Sequence, residues 1–424
     1  MSNDFFKSPV ALFCCMLELA AKILKHNVCE HCLGRQFGQL GSGFNNAERG
    51  KALRTSVALA IDSHKKFDVD PNNFAGYRFR QNQEFEKLPK EKKACEVCNG
   101  LFENLDKLAE RVAKQTSKYE FENFLVGTQI SDDLLKREEK LWESVGIDYT
   151  EPLRGELNRE IGKRLEKLTG KRADLKKPNI TVLLDLEKNK VIVTTNPLFV
   201  FGGYEKIKRG IPQSKWGTPH KYPTSIEEEI GKPLLKLTGG KDTKFHGMGR
   251  EDIDALCLDW RPFVIEIEKP IKRVIDFKKL QKLVAKNKKV LVSQLKISDM
   301  ETVRKIKAAA PDKTYRALVQ LGKPVKQSDL KKLKSLVGQT IQQKTPNRVL
   351  HRRADLQRKR VVKGLKWKMK GKSLEIVVQG SAGLYIKELI SGDEGRTKPS
   401  VSEILGVPAK VKELDVIKIG KIKL

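Results

Sequence analysis

The chain has 424 residues, of which 39% are hydrophobic, so it is long enough for two to four domains with buried cores. It has no apolar run long enough to span a membrane, and the apolar stretch 10–23 lacks the basic front and cleavage site of a signal peptide. The formal net charge is +31, and residues 271–424 alone carry 39 Lys and Arg against 13 Asp and Glu. Ion pairing needs both signs of charge, so this one-sided excess favours a polyanionic partner, above all nucleic acid.

Residues 1–116 are predicted to form a first unit made mainly of helices. Apolar residues at helical spacing predict helices over 10–26, 47–63 and 101–115. Asn46 immediately precedes the second of these and is predicted to cap its first turn.

Four of the seven cysteines form two closely spaced pairs, Cys29-x-x-Cys32 and Cys95-x-x-Cys98. Two such pairs are the ligand set of a closed tetrahedral site, so the pattern predicts a structural Zn²⁺ bound by all four thiolates. The 62 residues between the pairs are long for a zinc ribbon, so this segment must contain structure of its own. A redox-active CxxC motif and an iron–sulfur cluster are the alternatives. Metal-binding thiols fit a reducing compartment, and we expect a cytoplasmic protein.

Residues 117–205 are predicted to form a second unit that contains both helices and strands. Apolar residues at helical spacing predict a helix over 153–168. Alternating apolar residues predict a hairpin of two strands over 180–186 and 191–195. The apolar segment 197–204 is predicted to close this unit.

Residues 206–424 are predicted to form the third and largest unit, in which strand and helix signals alternate unevenly. Long strands joined by short loops favour a mixed or antiparallel sheet with helices on one face over a doubly wound parallel fold. The fold class predicted for the whole chain is α+β. Strands are predicted at 263–268, 290–297, 313–321, 358–369 and 373–380, and helices at 276–286, 299–309, 328–337 and 383–391.

A strongly basic tract runs from Arg348 to Lys372, with eleven Lys and Arg and one acid, Asp355. Within it, cations alternate with apolar residues over 358–370, which places the cations on one face of a strand. Such a face can lie along a phosphate backbone, and the interleaved Trp367 favours RNA. The alternative is a solvated edge strand whose lysines prevent aggregation.

Acidic residues are scarce in this part of the chain, which draws attention to the segment 249–256 (Gly-Arg-Glu-Asp-Ile-Asp-Ala-Leu). Asp252 has the basic neighbour Arg250 and precedes an apolar strand over 263–267. A carboxylate in such surroundings is a candidate reacting group. The chain has no P-loop, dinucleotide fingerprint, HExxH or GxSxG motif.

Three further side chains form a candidate site together with Asp252. Tyr315 begins a strand among basic residues, and Tyr385 and Lys387 lie at a strand-to-helix turn. Taken singly, each tyrosine is more often a core or rim residue, and a lysine is by default a surface residue. Only their combination with Asp252 favours a functional site.

Three segments resemble, in chain order, the motifs of pseudouridine synthases. Segment 249–256 resembles their G-R-x-D motif, 313–319 (Lys-Thr-Tyr-Arg-Ala-Leu-Val) their K-x-Y motif, and 383–389 (Gly-Leu-Tyr-Ile-Lys-Glu-Leu) their G-x-Y-I-R/K-x-L motif. With both cysteine pairs and segment 391–400, the chain is similar to archaeal members of the Pus-ten family of tRNA pseudouridine synthases. Residues 117–205 resemble a THUMP domain, an RNA-binding module.

The resemblance implies a role for each candidate residue. Asp252 takes the position of the nucleophilic aspartate, with Asp254 as the alternative, and acts on the ribose by attack at C1′ or by removal of the C2′ proton. Tyr315 is expected to stack on the target base, and Arg250 or Lys387 is expected to pair with the aspartate. The residues expected to bind substrate are Tyr315, Tyr385, Lys387 and Arg250.

The resemblance also implies the substrate and the partners. The substrate would be the T-arm of tRNA, with uridine 54, uridine 55 or both as targets. No organic cofactor and no membrane are expected. No protein partner is expected either, so the protein would act as a monomer. A non-catalytic zinc-containing tRNA-binding or chaperone protein is one alternative. A THUMP-linked methyltransferase or thiolation enzyme is another, but its glycine-rich cofactor motif is missing from the sequence.

Overall fold

The computed structural model divides the chain into two compact units, Met1–Thr195 and Asn196–Leu424. Among the residues described, no helix is both long enough and apolar enough to cross a membrane. The residues that the structure describes are 9–82, 85, 88–216 and 221–421.

The first unit combines a helical part with a small sheet. Short 3-10 turns at Arg35–Phe37, Pro71–Phe74 and Leu101–Asn104 connect its longer elements. The longer elements are α1 (Pro9–Ile23), α2 (Glu30–Gly34), α3 (Asn46–Asp62), α4 (Leu105–Thr116), β1 (Asn123–Gln129), α5 (Asp132–Val145), α6 (Leu153–Thr169), β2 (Arg172–Ala173), β3 (Ile180–Asp185) and β4 (Lys190–Thr195).

The sheet of the first unit has the strand order β2-β1-β3-β4. β1 pairs with both β2 and β3 in parallel, and β3 and β4 form an antiparallel hairpin, which confirms the predicted hairpin. One hydrophobic core runs through the whole unit, from Ala20 in α1 through Leu157 in α6 to Leu184 in β3. The segment between the cysteine pairs contains α3, so the prediction that it carries structure of its own is confirmed.

The cap of α3 differs by one residue from the prediction. Asn45, and not Asn46, is the cap: its side chain accepts a hydrogen bond from Glu48 N at 2.9 Å, and the Glu48 carboxylate accepts one from Asn45 N at 2.9 Å. This reciprocal arrangement is a capping box. Asn46 is the first helical residue and is buried, where its amide donates to Glu151 at 2.7 Å.

The second unit is built on one large sheet with helices packed against it. Three 3-10 segments of the described residues lie in its loops, Lys331–Leu336, Asn347–Arg352 and Asp393–Gly395. Its elements are β5 (Leu198–Lys206), α7 (Ile226–Thr238), β6 (Asp242–Gly247), β7 (Leu256–Glu268), α8 (Phe277–Ala285), β8 (Val290–Ser298), α9 (Met300–Ala308), β9 (Lys313–Leu321), α10 (Gln327–Leu330), β10 (Thr340–Gln343), β11 (Arg358–Lys370), β12 (Ser373–Gly380), α11 (Ile386–Ser391), β13 (Thr397–Lys398), α12 (Val401–Leu405) and β14 (Ala409–Ile419).

The large sheet has ten strands in the order β13-β10-β11-β12-β9-β14-β7-β5-β8, and β6 pairs with β7 beside this path. Neighbouring strands are antiparallel except for β14 and β7, which are parallel. The predicted mixed sheet flanked by helices, and with it the α+β class, is therefore confirmed.

The prediction that helices cover only one face of this sheet is wrong. Phe263 and Ile265 of β7 pack with α7 and α8, whereas Val264 between them packs with Val303 of α9. Successive side chains of a strand point to opposite faces, so helices lie on both faces. A one-sided arrangement would leave Val264 exposed, but it is fully buried.

Two further segments differ from the prediction. The pattern predicts that 197–204 closes the unit predicted over 117–205, but β5 pairs along its length with β7 and β8 of the large sheet. This segment therefore belongs to the observed unit Asn196–Leu424. The helix predicted from residue 383 begins only at Ile386, because Gly383 has a φ of +80°. This left-handed conformation ends β12 in a turn before the helix can start.

Candidate active site

A loop between two paired strands carries the candidate catalytic carboxylate. β6 and β7 pair in an antiparallel manner, and residues 248–255 leave the sheet between them. Gly249 begins the loop with a φ of +71°, a conformation that favours glycine. The carbonyl of Asp252 accepts a hydrogen bond from Ala255 N at 3.0 Å, which turns the chain back into β7. Asp252 is therefore held in a tight turn at the edge of the sheet.

Two cations hold the carboxylate of Asp252, one on each oxygen. Arg348 Nη1 lies 3.1 Å from Oδ1, and Lys387 Nζ lies 3.3 Å from Oδ2. Arg348 is itself positioned by a 2.7 Å hydrogen bond from its Nε to the buried carboxylate of Glu388. Each carboxylate oxygen therefore faces a positive charge, and the side chain is held between Arg348 and Lys387.

The second acid of the motif, Asp254, has a different environment. Its side chain is 68% exposed, compared with 29% for Asp252, and it accepts hydrogen bonds from Lys387 at 2.7 and 2.9 Å. Burial of Asp254 acts to raise its pKa, but the hydrogen bonds and charge of Lys387 outweigh this and lower the pKa below the usual range. Lys387 thus joins the two acids of the loop.

A cavity of about 270 Å³ adjoins Asp252 and brings the three sequence motifs together. The outer two motifs are separated by more than a hundred residues in the chain, and the convergence depends on β9 and β7 lying on either side of β14. Every residue predicted for the site lines this cavity, namely Asp252, Arg250, Tyr315, Tyr385 and Lys387.

The two tyrosines reach the cavity from different elements. Tyr315 projects from β9, and burial raises its pKa to about 12. Tyr385 lies at the N-terminus of α11, where Gln343 accepts from its backbone N at 2.9 Å and donates to its backbone carbonyl at 3.0 Å. The hydroxyl of Tyr385 accepts a hydrogen bond from Arg353 at 2.9 Å. Two aromatic rings at the wall of a small cavity can enclose a flat base.

Arg250 is the cation nearest to Asp252 in the sequence, but it is not one of the two cations that contact its carboxylate. Arg250 lines the cavity with an exposed side chain, whereas Arg348, from the start of the basic tract, contacts the carboxylate. Sequence reasoning missed this role because the composition of the tract indicates phosphate contacts. A local signal for it is Glu388, an acid inside the third motif that would need a cation when buried.

A buried frame supports the loop from the side of the sheet. Arg261 forms an ion pair with Glu251 at 3.1 Å, and both side chains are 1% exposed. The hydroxyl of Tyr204 donates to Glu251 at 2.9 Å. Lys206, also fully buried, donates to the carbonyls of Asp252 at 3.1 Å and Ile253 at 2.9 Å. The sequence patterns do not predict any of these four contacts.

Known proteins match both units of the chain. A family model described as Pus10, C-terminal, matches residues 199–420, which include every residue of the cavity, and one described as Pus10 THUMP domain, archaeal, matches residues 108–185. Curated relatives named tRNA pseudouridine synthase Pus10 include that of Thermofilum pendens, 38% identical over 93% of each chain. The chain belongs to the Pus10 family.

Other Pus10 relatives match over a similar span. That of Methanothrix thermoacetophila is 36% identical over 96% of this chain and 94% of its own, and that of Methanothermobacter marburgensis is 38% identical over 96% and 98%. The family predicted from the three ordered motifs is therefore confirmed, as is its enzymatic character. The THUMP resemblance is confirmed for residues 108–185.

The two cysteine pairs of this Pus10 chain meet in the first unit. The Sγ atoms of Cys29, Cys32, Cys95 and Cys98 lie within 4.8 Å of one another, and three of the four residues are buried. Cys29 and Cys98 Sγ are 3.7 Å apart. Hydrogen bonds from the other pair of thiols lower the pKa of both Cys95 and Cys98, which favours their thiolates. The cluster could hold a metal ion, as the spacing predicts.

His31 lies between the first two cysteines but faces elsewhere. Its Nδ1 is 2.7 Å from Glu156 Oε1, and its ring stacks on Phe102 with the ring centres 4.4 Å apart. The cysteines alone form the predicted ligand set.

Proposed function

We propose that the chain isomerises uridine to pseudouridine in the T-loop of tRNA, at position 54, position 55 or both, with Asp252 as the essential carboxylate. The observation that carries the proposal is the placement of Asp252 between Arg348 and Lys387 at a cavity walled by Tyr315 and Tyr385. A family named for tRNA pseudouridine synthesis supplies the reaction class.

Each group of this site has a task in the proposed reaction. The carboxylate of Asp252 acts on the ribose, by attack at C1′ or by taking the C2′ proton, and Arg348 and Lys387 hold it in place. Tyr315 and Tyr385 hold the flat uracil while it is detached and turned. The uridine must first leave its stack, which costs roughly a few kcal/mol. Contacts with the RNA outside the cavity must offset this cost.

The basic surface of the second unit supplies such contacts. Lys366, Lys368 and Lys370 alternate along β11 with exposed side chains, as the cationic face predicted for an RNA-binding strand requires. The THUMP part of the first unit would add a second RNA-binding surface. We propose that the T-arm of tRNA is bound by one chain, as a monomer, in the cytoplasm.

We further propose that the cysteine cluster binds Zn²⁺ as a structural ion. In a tetrahedron with Zn–S bonds of about 2.3 Å, the sulfurs are about 3.8 Å apart, and the 3.7 Å between Cys29 and Cys98 fits this spacing. Four thiol ligands close the coordination sphere, so the ion would join α2 to the segment around Cys95 without taking part in the reaction. The division of this unit into a zinc-binding region (1–116) and a THUMP-like region beginning at 117 stays a prediction.

One assay tests the function. Unmodified tRNA transcripts are incubated with the wild-type chain, Asp252→Asn and Asp254→Asn, and pseudouridine is mapped at each nucleotide. The wild type should form pseudouridine at position 54 or 55, and Asp252→Asn should lose roughly 10⁴-fold or more in rate while it still binds tRNA. Asp254→Asn should remain active.

Two results would contradict the proposal. Product formation by Asp252→Asn would remove the catalytic assignment. Tight tRNA binding by the wild type without any change in nucleoside composition would favour the non-catalytic tRNA-binding alternative.

A further inference from the structure

Lys313, the first residue of β9, lines the same cavity as Asp252 and Tyr315. A Cβ added at Gly249 would lie 3.5 Å from Lys313 Nζ and 3.6 Å from Arg261 Nη1, so the ammonium sits beside the catalytic loop and close to a second cation. Among the described residues, it forms no ion pair and no side-chain hydrogen bond. A charge kept in this position without a partner costs stability, which indicates a functional reason for it.

The surroundings of Lys313 lower its pKa and so raise the fraction of neutral amine. Burial, reinforced by the charge of Arg261, lowers the pKa of Lys313 to about 8, while Cys257 and Asp312 oppose the shift. The carboxylate of Asp312 is itself paired with Lys363 at 2.7 Å. The residues opposite Lys313 on β12 and β14 carry no charge. An amine and an ammonium therefore both exist near neutral pH.

The register of β9 places Lys313 next to the proposed base site. Lys313 and Tyr315 are two residues apart, so their side chains point to the same face of the strand, with Cα atoms about 6.6 Å apart. A uracil stacked on Tyr315 would have one edge within reach of the lysine side chain.

The proposed reaction needs a proton carrier at that edge. Uridine loses its N1–C1′ bond and gains a C5–C1′ bond, and the hydrogen on C5 must leave while N1 gains one. The net change is the transfer of one proton from C5 to N1, without any oxidant, reductant or co-reactant. The carrier must accept a proton from carbon and release it to nitrogen near neutral pH.

The other groups around the base are poorly suited to this task. Both oxygens of Asp252 already face cations, Oδ1 that of Arg348 and Oδ2 that of Lys387. Burial raises the pKa of Tyr315 to about 12, so its hydroxyl stays protonated and is a weak base at neutral pH. Lys313 lines the same cavity, its pKa is lowered to about 8, and no partner is bound to its side chain among the described residues.

We propose that the amine of Lys313 takes the proton from C5 of the rejoined base and delivers it to N1, which returns the amine to its starting state. The proposal rests on the pseudouridine synthase function proposed above. It makes Lys313 a catalytic residue for the last step, after Asp252 has completed the exchange at the ribose.

Single-turnover conversion of tRNA transcripts made with uridine or with 5-deuterouridine tests this role. The variants are Lys313→Met, Lys313→Arg, which keeps the positive charge and supports folding, and Lys410→Met, an exposed lysine on β14 as control. Lys313→Met and Lys313→Arg should each be slower by roughly 10²-fold or more and show a primary deuterium isotope effect larger than that of the wild type. A guanidinium does not release its proton in this range, so arginine should not rescue.

A wild-type pH profile provides a second measurement. With 5-deuterouridine, the rate should rise with pH through about 8, because the amine replaces the ammonium there, and this rise should be lost in Lys313→Arg. A fully active Lys313→Arg, or slow variants with an unchanged isotope effect, would overturn the proton-transfer role and leave only an electrostatic one. A wild type that forms no pseudouridine would instead overturn the proposed function itself, and this assignment with it.

Discussion

The ammonium of Lys206 lies 3.1 Å from the backbone carbonyl oxygen of Asp252, although the two residues belong to different segments of the second unit. Lys206 ends β5 and is fully buried, and it also donates to the carbonyls of Ile211 and Ile253 at 2.8 and 2.9 Å. Burial lowers the pKa of this lysine. Three carbonyls around one cation fix the backbone that carries the carboxylate, so the large sheet positions the candidate active site directly.

Lys206→Met should therefore impair both folding stability and catalysis. Each buried carbonyl left without a donor costs about 1–3 kcal/mol, so the melting temperature should fall together with kcat. Thermal unfolding and the pseudouridine assay measure the two effects. Lys208→Met, two residues away and exposed, is the matched control and should change neither. A Lys206→Met variant with an unchanged melting temperature and an unchanged kcat would show that the buried frame is dispensable.

Arg348→Met should reduce the rate with little effect on tRNA affinity. It removes the cation on Oδ1 of Asp252, and removal of one electrostatic contact at a reacting centre typically costs about 10²–10³-fold in kcat. Glu388→Gln, which weakens the support of Arg348 without removing it, should cost less. Lys334→Met, at an exposed position before β10, is the control. Equal reductions in kcat and in binding would indicate a phosphate contact instead of a catalytic one.

The strands of the large sheet could be predicted where buried and exposed side chains alternate strongly along the sequence. The bounds predicted for β9 and β12 coincide with those observed, because these neighbouring strands alternate buried and less buried residues over much of their length. β5 is harder to assign, because its residues 200–204 are buried without a break, and a run buried on both faces does not reveal which sheet it joins.

The residues of the candidate site also fall into two groups, those that a local sequence pattern predicts and those that only the folded chain brings into place. Asp252, Tyr315 and Lys387 lie in short motifs that sequence can recognise. Arg348 and Lys206 act through contacts that exist only after distant strands have paired, since one reaches a carboxylate 96 residues away and the other binds backbone carbonyls of any sequence. Lys206 is fully buried, and a cation that binds backbone carbonyls has no local signature in the sequence.

Neutralising the basic face of β11 should weaken both tRNA binding and its salt dependence. Lys366→Gln with Lys370→Gln should lower the slope of log Kd against log salt by about 0.7–0.9 for each phosphate that these lysines neutralise in the wild type. The effect should be equal for different tRNAs, since phosphates carry no sequence information. Lys368 is left intact because it pairs with Glu375 at 3.1 Å. Lys282→Gln on α8 is the control, and an equal change there would indicate a general charge effect.

The purified chain should contain one zinc ion. Elemental analysis should give one Zn per chain for the wild type and none for Cys95→Ser, and the thermal stability of the first unit should fall when the metal is removed. Cys15→Ser is the matched control, because Cys15 is an exposed free cysteine on α1. If the chain instead contains iron and shows the visible absorbance of a cluster, the iron–sulfur alternative is correct. If the metal-free chain is as stable as the wild type, the ion has no structural role.

Tyr315→Phe should remain active, whereas Tyr315→Ala should lose most of its activity. Stacking needs the ring and not the hydroxyl, and removal of a stacking ring typically costs about 1–3 kcal/mol per base. Burial raises the pKa of Tyr315 from 10.0 to about 12. The stabilisation from its neutral phenol is therefore complete below pH 10 and is lost only as the pH rises through about 12, so wild type and Tyr315→Phe should have parallel pH–rate profiles up to pH 10. A Tyr315→Phe variant as slow as Tyr315→Ala would instead require the hydroxyl in the reaction.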